Sequence, residues 1–328
     1  MDERSKIMTL AQFLEEWHSP SDHVLVHTSG STGKPKPLWV EKRRMEASAR
    51  MTCDFLGLCE GDTALLCMPL DYIAGKMMVV RSLVGGLRLI NVTPSGHPLS
   101  SSLGPVTFAA MVPLQVWNSL QVSEEREQLM RIRHLIIGGG AIDQALAQEL
   151  KNFPNAVWST YGMTETLSHV AMRRLNGPEA SEWYRPLSGV RISRNKEGCL
   201  VIDAPQLCGE PLVTNDVVEL KSGPLPLFKV LGRKDNVICS GGIKIQAEEV
   251  ERLLRPHLPM SFLITKTTDS KFGEIVVLVT EGGNTEELAL LCHRVLPRYW
   301  CPRQVLVVPK ILMTETGKPR RDYRLYSL

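Results

Sequence analysis

Short apolar stretches alternate with amphipathic segments from residue 23 to about residue 160. Stretches of four to eight mostly apolar residues are typical of buried β-strands. They comprise HVLVH (23–27), TALLCM (63–68), LRLINV (87–92), VTFAAM (106–111), HLIIG (134–138) and AVWST (156–160). Helices are predicted between strands over EKRRMEASARMTCDFLG (41–57), GKMMVVRSLVGG (75–86), PLQVWNSL (113–120) and DQALAQELKNF (143–153). Strands that alternate with helices predict an α/β domain with a mainly parallel sheet covered on both faces.

The pattern changes after about residue 190. Shorter strands and turns, including GCLVID (198–203) and DVVEL (216–220), predict a β-rich subregion. A cluster of charges and glycines, GRKDNVICSGG (232–242), indicates a domain boundary. A small α+β domain is predicted beyond it, with helices over 247–254 and 284–296 and strands over 261–265, 274–280 and 304–308. We therefore expect a large N-terminal domain over 1–234 and a mobile C-terminal domain over 235–328.

Composition and charge narrow the classes of protein. With 328 residues, the chain has room for about two domains. The net charge of +3 is too small to favour nucleic acid or an anionic membrane as a partner. None of the eight cysteines forms a C-x-x-C pair, so the sequence suggests neither a zinc site nor a redox motif. The charged start MDERSKI predicts no signal peptide, and the sequence contains no apolar run of about 18 residues. A reducing cytoplasm is the expected compartment.

The stretch VHTSGSTGKPK (26–36) has the ingredients of an anion-binding loop. It is not a Walker A loop, because Thr28 stands where that motif needs its first glycine and Pro35 follows Lys34. Glycines at 30 and 33 would still let the backbone approach an anion, and the hydroxyls and Lys34 add donors. From these residues alone, a phosphate cradle and a flexible surface loop are equally good interpretations.

Four further motifs accompany the glycine loop: YGMTET (161–166), TND (214–216), LGRKDNVICSGGIKIQAEEVE (231–251) and TETGKPRR (314–321). Together, in this order, they resemble the adenylate-forming acyl/aryl-CoA ligase superfamily over nearly the whole chain. The glycine loop is similar to that family's phosphate loop, T-S-G-[ST]-T-G-x-P-K. Such enzymes join a carboxylate to AMP, expel pyrophosphate and pass the acyl group to a thiol. The resemblance implies ATP, Mg²⁺ and CoA as ligands, and the adenylate-forming enzyme fold.

The resemblance also assigns nucleotide-binding roles. Thr164 and Glu165 would contact the α-phosphate, and Glu165 would hold Mg²⁺, with a solvated loop carboxylate as the alternative for Glu165. Asp216 would accept the ribose hydroxyls, although many members have T-G-D in place of T-N-D. Arg233 would face the ribose or phosphate, and its alternative is a surface ion pair. The remaining ATP-binding candidates are Thr28, Ser29, Gly30, Ser31, Thr32, Gly33, Lys34, Lys36, Gly139, Gly140, Ala141, Tyr161, Gly162 and Met163, with Tyr161 against the adenine.

The resemblance also implies that the C-terminal part moves during the reaction, and three of its features correspond to this movement. Lys318 corresponds to the family's adenylation lysine, where a solvated basic tail would otherwise be expected. Asp235 corresponds to the hinge between the domains. Rotation about that hinge would bring Gly241 and Gly242 to the acyl-adenylate, where they would line the route of the thiol.

The acid is indicated by fewer residues. MPLDYIAGKMMVVRSL (68–83) corresponds to the region that lines the family's acyl pocket, with Asp71 and Tyr72 in place of Phe-His. Arg81 lies where o-succinylbenzoate–CoA ligases of menaquinone synthesis carry a basic residue near the second carboxylate. The spelling YGMTETLSH, with Ser168 and His169, also resembles that branch. An arginine that pairs with a dicarboxylate is physically sound. A packing tyrosine at 72 and a surface arginine at 81 are the alternatives.

Other interpretations stay open. The glycine loop begins at residue 28, so much of the family's N-terminal subdomain would be absent, as in a short-form ligase or a truncated pseudo-enzyme. Another aryl- or acyl-CoA ligase is an alternative, as is an amino-acid adenylating enzyme, in which Asp71 would be the candidate for the α-amine. A catalytically dead nucleotide-binding module is a further alternative, although both Lys318 and Glu165 are present. A nucleic-acid binder would need a basic or aromatic stripe. A homodimer is left open.

Overall fold

The computed structural model describes residues 8–27, 37–140, 142, 144–313 and 319–327. The chain divides into two compact units. The first contains Met1–Ile192, Ile202–Leu212 and Lys221–Phe228, and the second contains Ser193–Val201, Val213–Leu220 and Lys229–Leu328. The expected domain boundary between residues 234 and 235 stays a prediction.

The N-terminal part of the chain up to residue 186 folds into helices and strands that largely follow the predicted alternation. In chain order they are α1 (Leu10–His18), β1 (His23–His27), β2 (Pro37–Glu41), α2 (Lys42–Leu56), β3 (Thr63–Leu66), α3 (Ile73–Gly85), β4 (Arg88–Asn91), β5 (Phe108–Met111), α4 (Pro113–Leu120), α5 (Ser123–Arg131), β6 (His134–Ile137), α6 (Gln144–Leu150), β7 (Ala156–Gly162), β8 (His169–Arg174) and β9 (Arg185–Pro186).

The rest of the chain is richer in strands. Its elements are β10 (Arg191–Arg194), β11 (Cys199–Asp203), β12 (Leu212–Lys221), β13 (Leu227–Arg233), β14 (Val237–Ser240), β15 (Ile243–Gln246), α7 (Ala247–Leu254), β16 (Phe262–Asp269), β17 (Gly273–Thr280), α8 (Thr285–Val295) and β18 (Gln304–Val307). Strands β10 to β13 form one sheet in chain order, which accounts for the predicted β-rich subregion.

A seven-stranded sheet in the order β4-β3-β5-β6-β7-β8-β9 forms the centre of the first unit. Strands β4, β3, β5, β6 and β7 run parallel, β8 is antiparallel to β7, and β9 is antiparallel to β8. All residues of β3 and β5 are buried, as continuous apolar strands covered on both faces should be. The predicted α/β class with a mainly parallel sheet is therefore confirmed. The carboxyl ends of the parallel strands all lie at one edge of the sheet.

Helix α1 was not predicted, although its sequence carries a start signal. Thr9 and Gln12 form a capping box, in which the Gln12 amide donates to Thr9 Oγ1 and the Thr9 amide donates to Gln12 Oε1. Lys76, which is fully buried in α3, donates from Nζ to Glu16 Oε2 at 3.1 Å and to the Leu25 carbonyl at 2.9 Å. One buried ammonium thus fastens both α1 and β1 to the helix that follows β3.

The second unit is built around a five-stranded sheet in the order β15-β14-β17-β16, with β18 parallel to β17. The segment interpreted as a domain boundary contains strand β14, which pairs with β15 through a two-residue turn. Both residues of that turn, Gly241 and Gly242, have positive φ, +57° and +84°. A tight hairpin turn of this kind strongly favours glycine at both positions. Turn geometry alone therefore accounts for the glycine pair, and its proposed place on the thiol route stays a prediction.

The end of the chain is fastened to this unit by a largely buried ion pair. Arg321 binds both carboxylate oxygens of Glu251 in α7, with Nη2 at 2.9 Å from Oε2. Arg321 Nη1 also donates to the Ile264 carbonyl at 2.6 Å, and the Ile264 amide donates to Glu251 Oε1 at 2.7 Å. The pair therefore connects the C-terminal segment, α7 and β16.

We expect Arg321→Met to destabilise the second unit by about 3 kcal/mol, because it leaves the Glu251 carboxylate buried without its cation. Hydrogen exchange of the β16 amides, followed by mass spectrometry, measures this effect as a loss of protection. The matched control is Arg324→Met, since Arg324 forms its ion pair with Asp322 at the surface, where such pairs contribute little. Equal protection in the two variants would contradict the assigned role of the pair.

Candidate active site

The carboxyl ends of β3, β6 and β7 bring three candidate segments to one edge of the sheet. The loop after β3 leads to Tyr72, which immediately precedes α3, and the loop after β6 contains Gly139 and Gly140. Strand β7 ends with Tyr161 and Gly162. Ligands of open α/β sheets bind in crevices beyond these strand ends. The topology therefore gathers the predicted nucleotide and acid residues of the first unit where this fold class binds small molecules.

The connection from β7 to β8 is tight and strained. A Cβ at Gly162 would lie 2.3 Å from the Ser168 carbonyl oxygen, so only glycine fits this close approach. Leu167 has a φ of +65°, a conformation that costs a bulky residue about 1–3 kcal/mol. The fully buried Thr166 pins the turn, since its Oγ1 accepts from the Met163 amide at 3.0 Å and donates to the Ser168 carbonyl at 2.7 Å.

This pinned connection presents the two residues expected at the α-phosphate. Thr164 and Glu165 lie in a short 3₁₀ turn over Thr164–Thr166, and Glu165 is exposed. Cys208 Sγ lies 3.2 Å from the Glu165 carbonyl oxygen and donates to it. The Glu165 carboxylate is therefore held on a fixed backbone and open to a ligand.

Tyr161 stands in an aromatic cluster. Its ring centroid lies 5.0 Å from that of Phe228 in an edge-on contact and 5.8 Å from that of Tyr184. The Tyr184 hydroxyl is fixed by Ser159 Oγ at 2.9 Å. These contacts hold the Tyr161 ring in place, which is what an adenine-facing tyrosine requires, but the adenine role itself stays a prediction.

Arg81 lies in the interior of the first unit and is 2% exposed, so the alternative of a surface arginine is wrong. Its Nη2 donates to Ser168 Oγ at 2.5 Å and its Nη1 lies 3.7 Å from Met78 Sδ. Arg81 Nε is buried without a hydrogen-bond partner, and no carboxylate of the described residues pairs with this guanidinium. Burial lowers the pKa of Arg81 to about 10. The side chain is still a cation at neutral pH, and the described residues supply no counter-ion for it.

Two side chains that extend the hydrogen bonding of Arg81 and Ser168 were not predicted as site residues. His169, which is buried, places Nδ1 3.3 Å from Ser168 Oγ and Nε2 3.0 Å from Thr52 Oγ1. Burial, with a smaller contribution from the Arg81 charge, holds the pKa of His169 well below its usual value. A histidine at the start of an otherwise apolar strand is the sequence signal for it. Thr52 lies 117 positions away and gives no comparable signal.

The second unit brings together three other candidates. Arg233 Nη1 lies 3.6 Å from Asp216 Oδ1, and Arg233 Nη2 lies 3.2 Å from Asp235 Oδ2. The backbone of Arg233 is also held, because Gln246 Nε2 donates to its carbonyl at 2.9 Å. The arginine side chain is half exposed, so these ion pairs contribute little to stability. The predicted ribose, phosphate and hinge residues are thus neighbours, and their roles stay predictions.

Several predicted site residues lie outside the described residues. They are Thr28, Ser29, Gly30, Ser31, Thr32, Gly33, Lys34, Lys36, Ala141 and Lys318. Within the described part of the chain, no group of three or more His, Cys, Asp or Glu side chains could hold a metal ion. A single exposed carboxylate such as Glu165 fits a magnesium ion that keeps waters and binds through phosphates. No described helix is both long and apolar enough to cross a membrane.

Comparisons with known proteins identify the family of this chain. The model of the family described as "AMP-binding enzyme" matches residues 3–206. The 2-succinylbenzoate–CoA ligase of Bacillus cereus (strain AH820) is 26% identical, over 96% of this chain and 72% of that protein. The ligase of the same name from Salmonella typhimurium is 29% identical, over 87% of this chain and 64% of that protein.

Solved structures of related enzymes are also similar to this chain. An acyl-CoA synthetase (AMP-forming)/AMP-acid ligase II-like protein from Dyadobacter fermentans has 35% identity and a TM-score of 0.67, over 96% of this chain and 91% of that chain. The o-succinylbenzoate CoA synthetase (MenE) of Bacillus subtilis, in complex with the acyl-adenylate OSB-AMP, has 24% identity and a TM-score of 0.75, over 93% of this chain and 69% of that one. This last likeness bears on the fold, which is that of adenylate-forming enzymes. The family match covers more than half of the chain, and the chain therefore belongs to the AMP-binding enzymes.

Proposed function

We propose that this chain is an ATP-dependent acid–thiol ligase that adenylates 2-succinylbenzoate and transfers the acyl group to CoA. The observation that carries the choice of acid is the buried Arg81 guanidinium, which has no carboxylate partner among the described residues. Curated relatives named 2-succinylbenzoate–CoA ligase support the same choice. 2-Succinylbenzoate has two carboxylates, so one can be activated while the other pairs with Arg81.

The charge of Arg81 argues against a hydrocarbon acid. A cation taken out of water loses hydration energy, which it recovers only through a partner of opposite charge and through hydrogen bonds. An aliphatic acyl chain beside Arg81 would supply neither. A carboxylate would accept from the unpaired Nε–H and from the remaining Nη–H groups, and bidentate pairs of this kind are among the strong hydrogen bonds of proteins.

The first half-reaction needs an electrophilic phosphorus and a good leaving group. One carboxylate oxygen attacks the α-phosphorus of ATP, an O–P bond forms, and the bond from that phosphorus to the pyrophosphate oxygen breaks. Charge builds on the α-phosphoryl oxygens during this step, so fixed donors and cations there matter most. Thr164 would donate to these oxygens from the pinned turn after β7. Magnesium held by Glu165 would neutralise phosphate charge.

Other residues would bind the nucleotide without taking part in bond changes. Tyr161 would lie against the adenine on the strength of its fixed ring, with Gly139 and Gly140 on the opposite side. Gly162 and Met163 would add their backbone to this adenine-binding surface. In the second unit, Asp216 would accept from the ribose hydroxyls while Arg233 balances its charge.

The second half-reaction replaces oxygen by sulfur. The thiolate of CoA attacks the acyl carbon, a C–S bond forms, the C–O bond to AMP breaks, and the thiol proton passes to solvent. Asp235 would lie at the hinge between the two steps, and Gly241 with Gly242 would line the path of the thiol. Lys318 would serve the first step, in which an ammonium bridges the attacking carboxylate and the α-phosphate.

The amino-acid adenylating alternative has less support. It needs a carboxylate for the α-amine, and Asp71 was its candidate. Asp71 Oδ1 accepts from the Met8 amide at 3.3 Å. The cation at Arg81, by contrast, would repel an α-ammonium in the same part of the site.

We expect Arg81→Met to raise the KM for 2-succinylbenzoate by about 10- to 100-fold, equivalent to losing a charged hydrogen bond of about 1.5–3 kcal/mol. The KM for ATP should change by less than about twofold, because Arg81 is assigned to the acid. Pyrophosphate release measures both constants. Two monocarboxylate analogues, 4-oxo-4-phenylbutanoate and 2-butanoylbenzoate, serve as controls. The variant should lose the preference for the dicarboxylate over at least one of them; an undiminished preference would overturn the assignment.

We expect Lys318→Ala to reduce adenylation by about 100-fold or more, since a charge aimed at the α-phosphate acts in that transition state. Thioester formation from preformed acyl-adenylate should stay within about threefold of the parent enzyme, because phosphate chemistry is then complete. Stopped-flow or quench measurements on each half-reaction separate the two effects. Equal losses in both half-reactions would refute a dedicated adenylation lysine.

A further inference from the structure

We propose that Thr52 and His169 are positioning residues for the acid site: they fix the Ser168 hydroxyl as a hydrogen-bond acceptor and so hold the Arg81 guanidinium in place. The use of Arg81 for a substrate carboxylate rests on the proposed function, but the hydrogen-bond chain does not. The chain runs through four buried or half-buried side chains, in the order Arg81, Ser168, His169 and Thr52.

The direction of the hydrogen-bond chain is determined first at its Thr52 end. Thr52 Oγ1 lies 3.1 Å from the Ser48 carbonyl oxygen, one turn earlier in α2. A carbonyl oxygen can only accept, and we assign the single hydroxyl hydrogen of Thr52 to this one. Towards His169 Nε2, at 3.0 Å, Thr52 Oγ1 can then only accept. His169 must therefore carry a hydrogen on Nε2.

The state of His169 follows from its surroundings. Its ring is fully desolvated and lies close to the Arg81 cation, and both conditions favour the neutral imidazole. A neutral ring that carries its hydrogen on Nε2 has a lone pair on Nδ1. Ser168 Oγ, 3.3 Å from Nδ1, therefore donates to the ring.

At the other end of the hydrogen-bond chain, the direction is determined by the Arg81 guanidinium. An arginine has donors but no acceptor, so Arg81 Nη2 donates to Ser168 Oγ across 2.5 Å. Ser168 thus accepts from Arg81 and donates to His169, and its hydrogen is already used. With the Thr52 hydrogen on the Ser48 carbonyl, every hydrogen bond of this series runs in one direction, from Arg81 Nη2 to the Ser48 carbonyl oxygen.

This direction has a consequence for recognition. Ser168 holds one corner of the guanidinium and keeps no hydrogen for a ligand. Recognition of the acid is then left to the donors of Arg81, including the unpaired Nε–H, and these accept no donor group from a ligand. The chain therefore favours an anionic acceptor such as a carboxylate, and it stops the long arginine side chain from sampling other rotamers.

Thr52→Val tests the chain, because it removes the hydroxyl and keeps the shape of the side chain. We expect the KM for 2-succinylbenzoate to rise by about 5- to 10-fold, while kcat and the KM for ATP stay within about twofold. Thr52→Ser should restore the parent value. The matched control is Ser82→Ala, since the Ser82 hydroxyl is also buried and also donates to a carbonyl one turn earlier, that of Met78 at 3.0 Å.

A spectroscopic measurement tests the chain without any substrate. Long-range ¹H–¹⁵N correlation spectra of the full protein with ¹⁵N-labelled histidine report the tautomer of His169, whose signal is assigned by its loss in His169→Gln. We expect the neutral Nε2–H form between pH 6 and 8 in the parent protein and in Ser82→Ala. A mixture of tautomers is expected in Thr52→Val.

The possible outcomes distinguish the hydrogen-bond chain from the proposed identity of the acid. An imidazolium or an Nδ1–H tautomer in the parent protein would overturn the chain, and so would a KM for the acid that rises equally in Thr52→Val and Ser82→Ala. The predicted tautomer, together with an unchanged acid KM in Arg81→Met, would overturn the proposed acid and leave the hydrogen-bond chain standing.

Discussion

A buried guanidinium without a counter-ion is costly, and the described residues leave Arg81 in this state at the centre of the first unit. Arg81 is 2% exposed, and the described residues give it one hydroxyl acceptor and a thioether but no carboxylate. A buried charge that has no partner loses its hydration energy without recovering it from the fold. Retention of such a charge is therefore more easily understood as a contribution to binding than as a contribution to the stability of the fold.

The elements around Arg81 hold its neighbours in fixed positions. Helix α3 carries Arg81 and also Lys76, whose ammonium fastens α1 and β1 to the same helix. On the opposite side, the strained connection from β7 to β8 places Ser168 against Arg81, and it places Glu165 at the exposed turn. The residue expected at the phosphate and the residue that holds the arginine thus belong to one rigid segment. A shift of that segment would disturb the proposed acid and nucleotide sites together.

Sequence patterns predicted those parts of the structure that depend on neighbours along the chain. Helices α2, α4 and α7 and the parallel strands follow from periodicity and apolar runs, since these signals are local. Helix α1 could have been found from Thr9 and Gln12, which form its capping box. The hairpin at Gly241 and Gly242 was missed because its glycines and charges looked like a linker, although a glycine pair between two short strands is also a turn signal.

The candidate site also has parts that the sequence could predict and parts that it could not. Arg81, Ser168 and Glu165 could be named because each lies in a motif. The burial of Arg81 could not be predicted, since α3 is buried on all sides from Gly75 to Ser82 and this burial depends on tertiary packing. The contact between Thr52 and His169 joins positions far apart in the chain, and no local pattern encodes it.

The central claim is that the Arg81 cation receives a carboxylate of the acid substrate. A crystal structure of the protein with a non-hydrolysable 2-succinylbenzoyl-adenylate analogue tests it most directly. The account predicts the remaining carboxylate of the ligand within about 3 Å of the Arg81 nitrogens, with Ser168 still in contact with the guanidinium. A structure in which that carboxylate points to solvent, and Arg81 keeps no anionic partner, would contradict it.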